Sequence, residues 1–141
     1  MSRTRSVLEG PGPLARRLYQ SHTRLWHEKV DAKLTGPQFT VLVELTERGE
    51  LDHSALVTFA HLDKSTLSPL LNRLEERGLI TIARDDRDHR RKLITVTDDG
   101  IAIVNRLAPS AAAVGDELLS GLTAGERSTL LDLLRRAVGD T

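Results

Sequence analysis

Leu14, Leu18, Trp26 and Val30 fall in one row at steps of four residues, with His22 in the same row and Leu25 beside it. Side chains four apart share a helix face, so the row predicts one long, one-sided helix reaching to about Lys33. The dozen residues before it hold Arg3, Arg5, Gly10, Pro11 and Gly12 with no apolar period, and read as a flexible lead over 1–12 that ends where Pro13 opens the helix. Thr35-Gly36-Pro37-Gln38 is a capping-box pattern. It predicts a second helix through Phe39, Leu42, Val43 and Leu45, closed at Arg48-Gly49. Asp52 is placed to cap a short third helix that buries Ala55, Leu56 and Phe59. After a tight break at Leu62-Asp63-Lys64, a fourth helix buries Leu67, Leu70, Leu71 and Leu74 and ends at Arg77-Gly78.

Two β-rich runs follow, Leu79 to Ala83 and Leu93 to Thr97, and the charged stretch 84–92 between them makes a hairpin with a charged tip. Beyond Thr97-Asp98-Asp99, a long stripe from Ile101 through Val104, Leu107, Val114 and Leu118 to Leu122 predicts a helix that Pro109 kinks. A second capping box, Thr123 to Glu126, opens a last helix carrying Leu130, Leu131, Leu133, Leu134 and Val138. The expected class is mainly α with a small β-hairpin. Two short helices, a tight break and an adjoining hairpin together form a winged helix-turn-helix.

That arrangement has a direct use on duplex DNA. The major groove admits one helix whose outward side chains meet base edges, and a hairpin beside it reaches the flanking backbone or minor groove. The outward face of the fourth helix offers Lys64, Ser65, Thr66, Ser68, Pro69, Asn72 and Arg73. Asn suits adenine, Arg suits guanine, and hydroxyls suit bases or phosphates. In the hairpin tip, Arg91 and Lys92 are candidate phosphate contacts. The competing reading is a winged-helix module for protein–protein contact without DNA binding, because a fold does not fix a function.

These segments resemble the MarR family of bacterial winged helix-turn-helix regulators. Leu34-Thr35-Gly36-Pro37-Gln38-Phe39 resembles that family's second-helix opening, and the run from Leu62 to Ile80 resembles its recognition helix and first wing strand. The wing signature of Asp, any residue, Arg, five residues and Leu-Thr is met by Asp88, Arg90, Val96 and Thr97, with Val in place of Leu. The resemblance implies an obligate homodimer built from helical segments 13–34 and 98–141, with a DNA-binding domain over 35–97. It implies a regulator, in the main a repressor, on a roughly palindromic operator. It also implies a minor-groove or backbone contact for Arg90, with Asp88 bracing the wing by an ion pair. The first helix and the last two carry more apolar stripe than a small winged domain needs, which independently favours a second subunit as cover. His61 stands at the break where the family often has glycine.

Family members often bind a small anionic or phenolic effector between the dimerisation helices and the winged domain. Tyr19, His22, Trp26 and Phe39 are the residues best placed for one here. The Ser68-Pro69-Leu70-Leu71 stretch resembles organic-peroxide sensors of the family, but the chain has no cysteine, so thiol oxidation is excluded.

Composition narrows this further. The 20 Lys+Arg and 20 Asp+Glu cancel, which excludes a polybasic, indiscriminate polyanion binder. By segment the balance is uneven. Residues 1–30 carry six basic and two acidic side chains and 61–97 eight and six, whereas 31–60 carry two and five and 98–141 four and seven. The basic excess therefore sits with the first helix and with the recognition helix and wing. Aromatics are confined to Tyr19, Trp26, Phe39 and Phe59, too few for a single-strand stacking platform. No 18-residue apolar run occurs, and the expected location is the cytoplasm with no membrane partner. No cofactor or metal is expected. His22 and His27 lie about 140° apart on a helix, and His53 and His61 roughly 12 Å apart along one. No motif of a nucleophile elbow, phosphate loop or zinc protease is present, so an enzyme is not expected.

Overall fold

A computed structural model describes residues 3–140; residues 1, 2 and 141, at the ends of the expected lead and C-terminal helical segment, lie outside the described residues. Instead of an unpatterned lead, residues 3–9 form one exposed α-turn, α1 (Arg3–Ser6), and a 3-10 turn (Val7–Glu9). The first long helix, α2 (Pro11–Lys29), starts two residues before the expected Pro13, because Gly10 serves as N-cap and Pro11 as the first helical residue. It also stops four residues before Lys33. Asp31 Oδ1 accepts the amides of Lys33 (2.6 Å) and Leu34 (2.8 Å), drawing the backbone out of the helix. An apolar period does not register this competition, which is local Asp chemistry.

In α3 (Gly36–Arg48) both halves of the capping box form: Thr35 Oγ1 accepts the Gln38 amide at 3.2 Å and Gln38 Oε1 accepts the Thr35 amide at 3.0 Å. A two-residue strand β1 (Leu51–Asp52) follows that is too short to show a period, then α4 (His53–Ala60), where Asp52 Oδ1 accepts from the Ala55 amide. Of the three side chains expected inside α4, only Leu56 is fully buried; Phe59 is half-buried, with the Arg48 guanidinium 3.6 Å over its ring. His61 turns the chain in the left-handed region, φ 55° and ψ 42°.

The recognition helix α5 (Lys64–Glu76) is capped by Asp63 and buries Leu67, Leu70, Leu71 and Leu74. Its end is a Schellman motif: Gly78 (φ 73°) donates to the Glu75 carbonyl and Leu79 to the Leu74 carbonyl. The Leu79 amide is thus committed to the helix end. Each strand sits one residue nearer the hairpin tip than the expected run, as β2 (Ile80–Arg84) and β3 (Lys92–Val96), and the sheet is antiparallel with order β1-β3-β2. Helix α6 (Asp98–Leu118) continues through Pro109, and the chain turns at 119–122 into α7 (Ala124–Val138), where Thr123 and Glu126 complete the second capping box.

The core is aliphatic, as four aromatics dictate. Leu34, Leu42, Leu45, Leu56, Leu67, Leu74, Ile80 and Ile94 are all essentially inaccessible, and they join α3, α4, α5 and the sheet. Helix α2 lies along α6, with Lys29 Nζ 2.6 Å from Glu117 Oε2. The wing is fastened to α6 at Thr97, whose Oγ1 donates to the Gly78 carbonyl (2.7 Å) and accepts the Gly100 amide (3.2 Å). At Gly100 an added Cβ would run into the Leu79 carbonyl and the Val96 side chain. Leu79 O already accepts the Thr97 amide at 3.0 Å, so it cannot retreat without breaking the strand-to-helix junction. Gly100→Ala is therefore expected to cost about 3 kcal/mol, the upper end of overpacking penalties. Urea unfolding at fixed protein concentration measures it, and an unchanged midpoint would contradict the packing described.

Candidate nucleic-acid interface and ligand cavity

The polar face expected on the recognition helix is outward: Lys64, Ser65, Thr66, Ser68, Pro69, Asn72 and Arg73 are all exposed, while the four leucines anchor the opposite side. Their individual settings differ. The Ser65 hydroxyl donates to Asp63 Oδ1 at 3.1 Å, and the Thr66 amide donates to the same oxygen at 2.7 Å. Hydrogen bonds from Thr66 and then Ser65 hold the Asp63 carboxyl below the usual carboxylate range, so the cap is charged at neutral pH. Ser68 Oγ lies 3.2 Å from Nε2 of His53 on α4. Asn72 shares a groove with Glu75 of its own helix and with Arg84 and Lys92 of the wing.

Glu75 is exposed on α5 next to Glu76, where an acid reads from sequence as simply solvated. Its Oε2 accepts the Ile82 amide at 3.0 Å, which ties the edge strand β2 to the recognition helix. Sequence gives no sign of this, because the partner is a backbone amide seven residues away on another element.

The wing tip is organised by its aspartates. Asp85 Oδ1 accepts the Arg87 amide and Asp88 Oδ1 accepts the Arg90 amide at 3.1 Å, with Arg90 Nε 3.4 Å from the same oxygen. The Arg90 side chain is 94% exposed and extends from this brace. Arg91 has a different setting: Nε donates to Asp52 Oδ2 at 2.8 Å and Nη1 to Asp85 Oδ2 at 3.4 Å. The Ala55 amide and then the Arg91 guanidinium hold the Asp52 carboxyl below its ordinary range. One carboxylate thus caps α4 and pins the wing, and Arg91 is a strut between wing and body. Lys92 stays exposed on the grooves either side of β3.

A cavity of about 500 Å3 opens between α2, the connector before α3, and the recognition helix. Tyr19, His22 and Trp26 form one wall as a stack, with ring centroids 5.9 and 6.0 Å apart. Burial lowers the His22 pKa, leaving the imidazole neutral at pH 7. Trp26 is fixed by Nε1 donating to the buried Leu34 carbonyl at 2.6 Å. Phe39 does not line the cavity; it packs behind Trp26, tilted, with centroids 5.2 Å apart. The opposite wall is the recognition helix itself, through Thr66, Pro69, Leu70 and Arg73. Arg73 therefore serves a cavity as well as the polar face, and Asp31 and Thr35 complete the rim, residues that the apolar stripe of α2 does not single out. Among the described residues no cluster of three metal-ligating side chains occurs, and no helix is long and apolar enough to cross a membrane.

Comparison with known proteins places this geometry. The MarR family model matches residues 34–92, the stretch from the capping box to the start of β3. NicR, a transcriptional repressor of Pseudomonas putida, is 31% identical over 94% of this chain and 84% of its own. The PcaV regulator of Streptomyces coelicolor, solved with its natural ligand, superposes with a TM-score of 0.85 at 38% identity, covering 92% of each chain. BpsR of Bordetella bronchiseptica, whose DNA binding is regulated by 6-hydroxynicotinic acid, gives 0.84 at 34% identity over 90% of this chain and 97% of that one. The chain belongs to the MarR family of transcriptional regulators.

Proposed function

We propose that the protein is a repressor that binds a pseudo-palindromic operator as a homodimer in the cytoplasm and is released by a small aromatic acid. The observation that carries this reading is the joining of recognition helix and wing into one polar face. Ser68 meets His53, and His53 shares a groove with Arg90 and Lys92; Asn72 shares another with Lys92. Asn72 and Ser68 are the base-edge candidates, Lys64 and Lys92 the phosphate contacts, and Arg90 the minor-groove reach. Arg91 acts here as the strut that aims Arg90 rather than as a contact of its own.

The test is selection of bound sequences from random duplex DNA, followed by affinities across salt. A two-fold symmetric consensus, with log affinity falling linearly against log salt, is the expected result. Arg90→Ala is expected to weaken all duplexes alike and to flatten the salt slope by about one per wing. No enriched consensus, or an affinity indifferent to salt, would refute the DNA reading in favour of a protein–protein module.

The dimer reading rests on α7, which has 15 residues, none of them buried. Isolated helices of about 12–15 residues are marginal in water, so this one needs cover. Leu131, Leu133, Leu134 and Val138 are exposed on it, and Val7, Leu8 and Leu14 are exposed at the other end of the chain.

The effector reading rests on the shared wall. A flat anionic ring entering the cavity stacks against His22 and Trp26 and meets the Arg73 guanidinium, so its binding free energy acts on the helix that reads DNA. The volume suits such a molecule, since small-ligand sites run to about 300–1,000 Å3. Titration with 6-hydroxynicotinic acid is expected to quench Trp26 fluorescence and lower operator affinity in parallel. If salicylate, 6-hydroxynicotinic acid and 3,4-dihydroxybenzoic acid all leave both signals unchanged at millimolar concentration, the aromatic-acid reading is wrong.

A further inference from the structure

We propose that His53, which lies outside the recognition helix, is a specificity-determining residue of this regulator because it fixes the hydrogen-bonding polarity of the Ser68 hydroxyl. The inference rests on the DNA reading above and deepens it.

Ser68 occupies the exposed face of α5, one helical turn before Asn72. A serine hydroxyl on a solvated helix ordinarily rotates, offering its proton in any direction, and discriminates poorly between bases that present donors and bases that present acceptors. Here its Oγ is 3.2 Å from His53 Nε2, fifteen residues away on α4. His53 is the first residue of α4, directly after Asp52, whose carboxylate anchors the helix start through the Ala55 amide and the Arg91 guanidinium. The histidine is half-buried, so its ring has less freedom than the side chain it meets.

The bond can run in two directions, and each leaves a definite group facing outward. When Nε2 carries the proton it donates to Ser68 Oγ, and the hydroxyl hydrogen is left for an acceptor: N7 of a purine, O6 of guanine or O4 of thymine. When Nδ1 carries the proton, Ser68 donates to Nε2, and its remaining lone pairs face an amino group, N6 of adenine or N4 of cytosine. With either tautomer in place, the imidazole occupies one hydrogen-bonding direction of the hydroxyl and leaves the other for DNA. His53 is a positioning residue: it contacts no base, and its influence is exerted through Ser68 alone.

The test uses the intact protein and the consensus selected for it. His53→Ala is expected to reduce discrimination at one base pair per half-site by about three- to tenfold, the scale of one net hydrogen bond. Discrimination at the Asn72 position should be unchanged. Ser68→Ala should lose the same preference, and adding His53→Ala to Ser68→Ala should change nothing more, because the two act as a unit. A His53→Ala protein that loses affinity equally for every duplex would show a structural role only and overturn the proposal. So would additive losses in the double variant. Failure of the wild-type protein to select any duplex would instead refute DNA binding itself, so the two failures are distinguishable.

Discussion

Trp26→Ala is expected to destabilise the protein by about 3–5 kcal/mol, the range for truncating a buried aromatic. The indole is 6% exposed, packs against Phe39, and donates from Nε1 to the carbonyl of Leu34, which is itself inaccessible. Alanine would leave a void where α2 meets the connector to α3, and it would strand that carbonyl without a donor. Trp26→Phe is the milder change, since it keeps a phenyl ring in the site and removes the N–H together with part of the indole bulk. Its expected cost is about 1–3 kcal/mol, that of a buried polar group left unpaired. Urea unfolding monitored by circular dichroism at fixed protomer concentration measures both, because assembly would make the midpoint concentration-dependent. If Trp26→Phe were as stable as wild type, the hydrogen bond would be contributing nothing. The same substitution tests the effector cavity: with the fold retained in Trp26→Phe, weaker binding of the aromatic acid would report the lost indole surface.

Much of the fold was legible because capping chemistry is local. Thr35-Gln38, Asp52, Thr97 and Thr123-Glu126 each mark a helix start that the structure contains, whereas the Asp63 cap sits in what reads only as a tight break. The boundaries that shifted are those set by partners distant in sequence or by a side chain diverting the backbone. Asp31 ends α2 early, and the bond from the Leu79 amide to the Leu74 carbonyl moves the start of β2 by one residue. Strand β1 escapes notice because two residues carry no period, and it exists only through pairing with Leu93 and Ile94.

The candidate site divides along the same line. Alternation on one helix is enough to bring out the polar face of α5, and the Asp88–Arg90 brace in the wing is what the family resemblance implies and the structure contains. By contrast, Arg91 looks like any other basic residue in a charged run until Asp52, thirty-nine positions earlier, is found beside it. Glu75 looks solvated until the Ile82 amide is found on it, and Arg73 looks like a groove residue until the cavity behind it is seen. Each is a pairing between elements, for which a single sequence has no periodic signature. The Arg91 pairing also joins the wing to the Asp52 cap of α4, and Arg73 places the recognition helix on the cavity that α2 walls.

The largest effect on function is expected from a change far from the DNA face. Leu131 and Leu134 lie three residues apart on α7, 37% and 40% exposed. Their joint replacement, Leu131→Glu with Leu134→Glu, changes no side chain of the protomer's buried core, because no residue of α7 belongs to it. On the dimer reading the same pair is an apolar contact, and four carboxylates brought together across a two-fold axis cannot be desolvated cheaply. The variant should therefore sediment as a monomer whose winged domain keeps its own core, where the wild type is a dimer. Its affinity for a full operator should fall by about 10²–10⁴-fold, the gain normally supplied when one bound half holds its partner at high effective concentration over the second half-site. Its affinity for an isolated half-site should match the wild type's, since Asn72, Arg90 and Lys92 remain in place on each protomer. That contrast separates loss of assembly from loss of the reading surface. A double variant that remains dimeric, or a monomer that binds the full operator as tightly as the wild type, would show that α7 is not the element that joins the two halves.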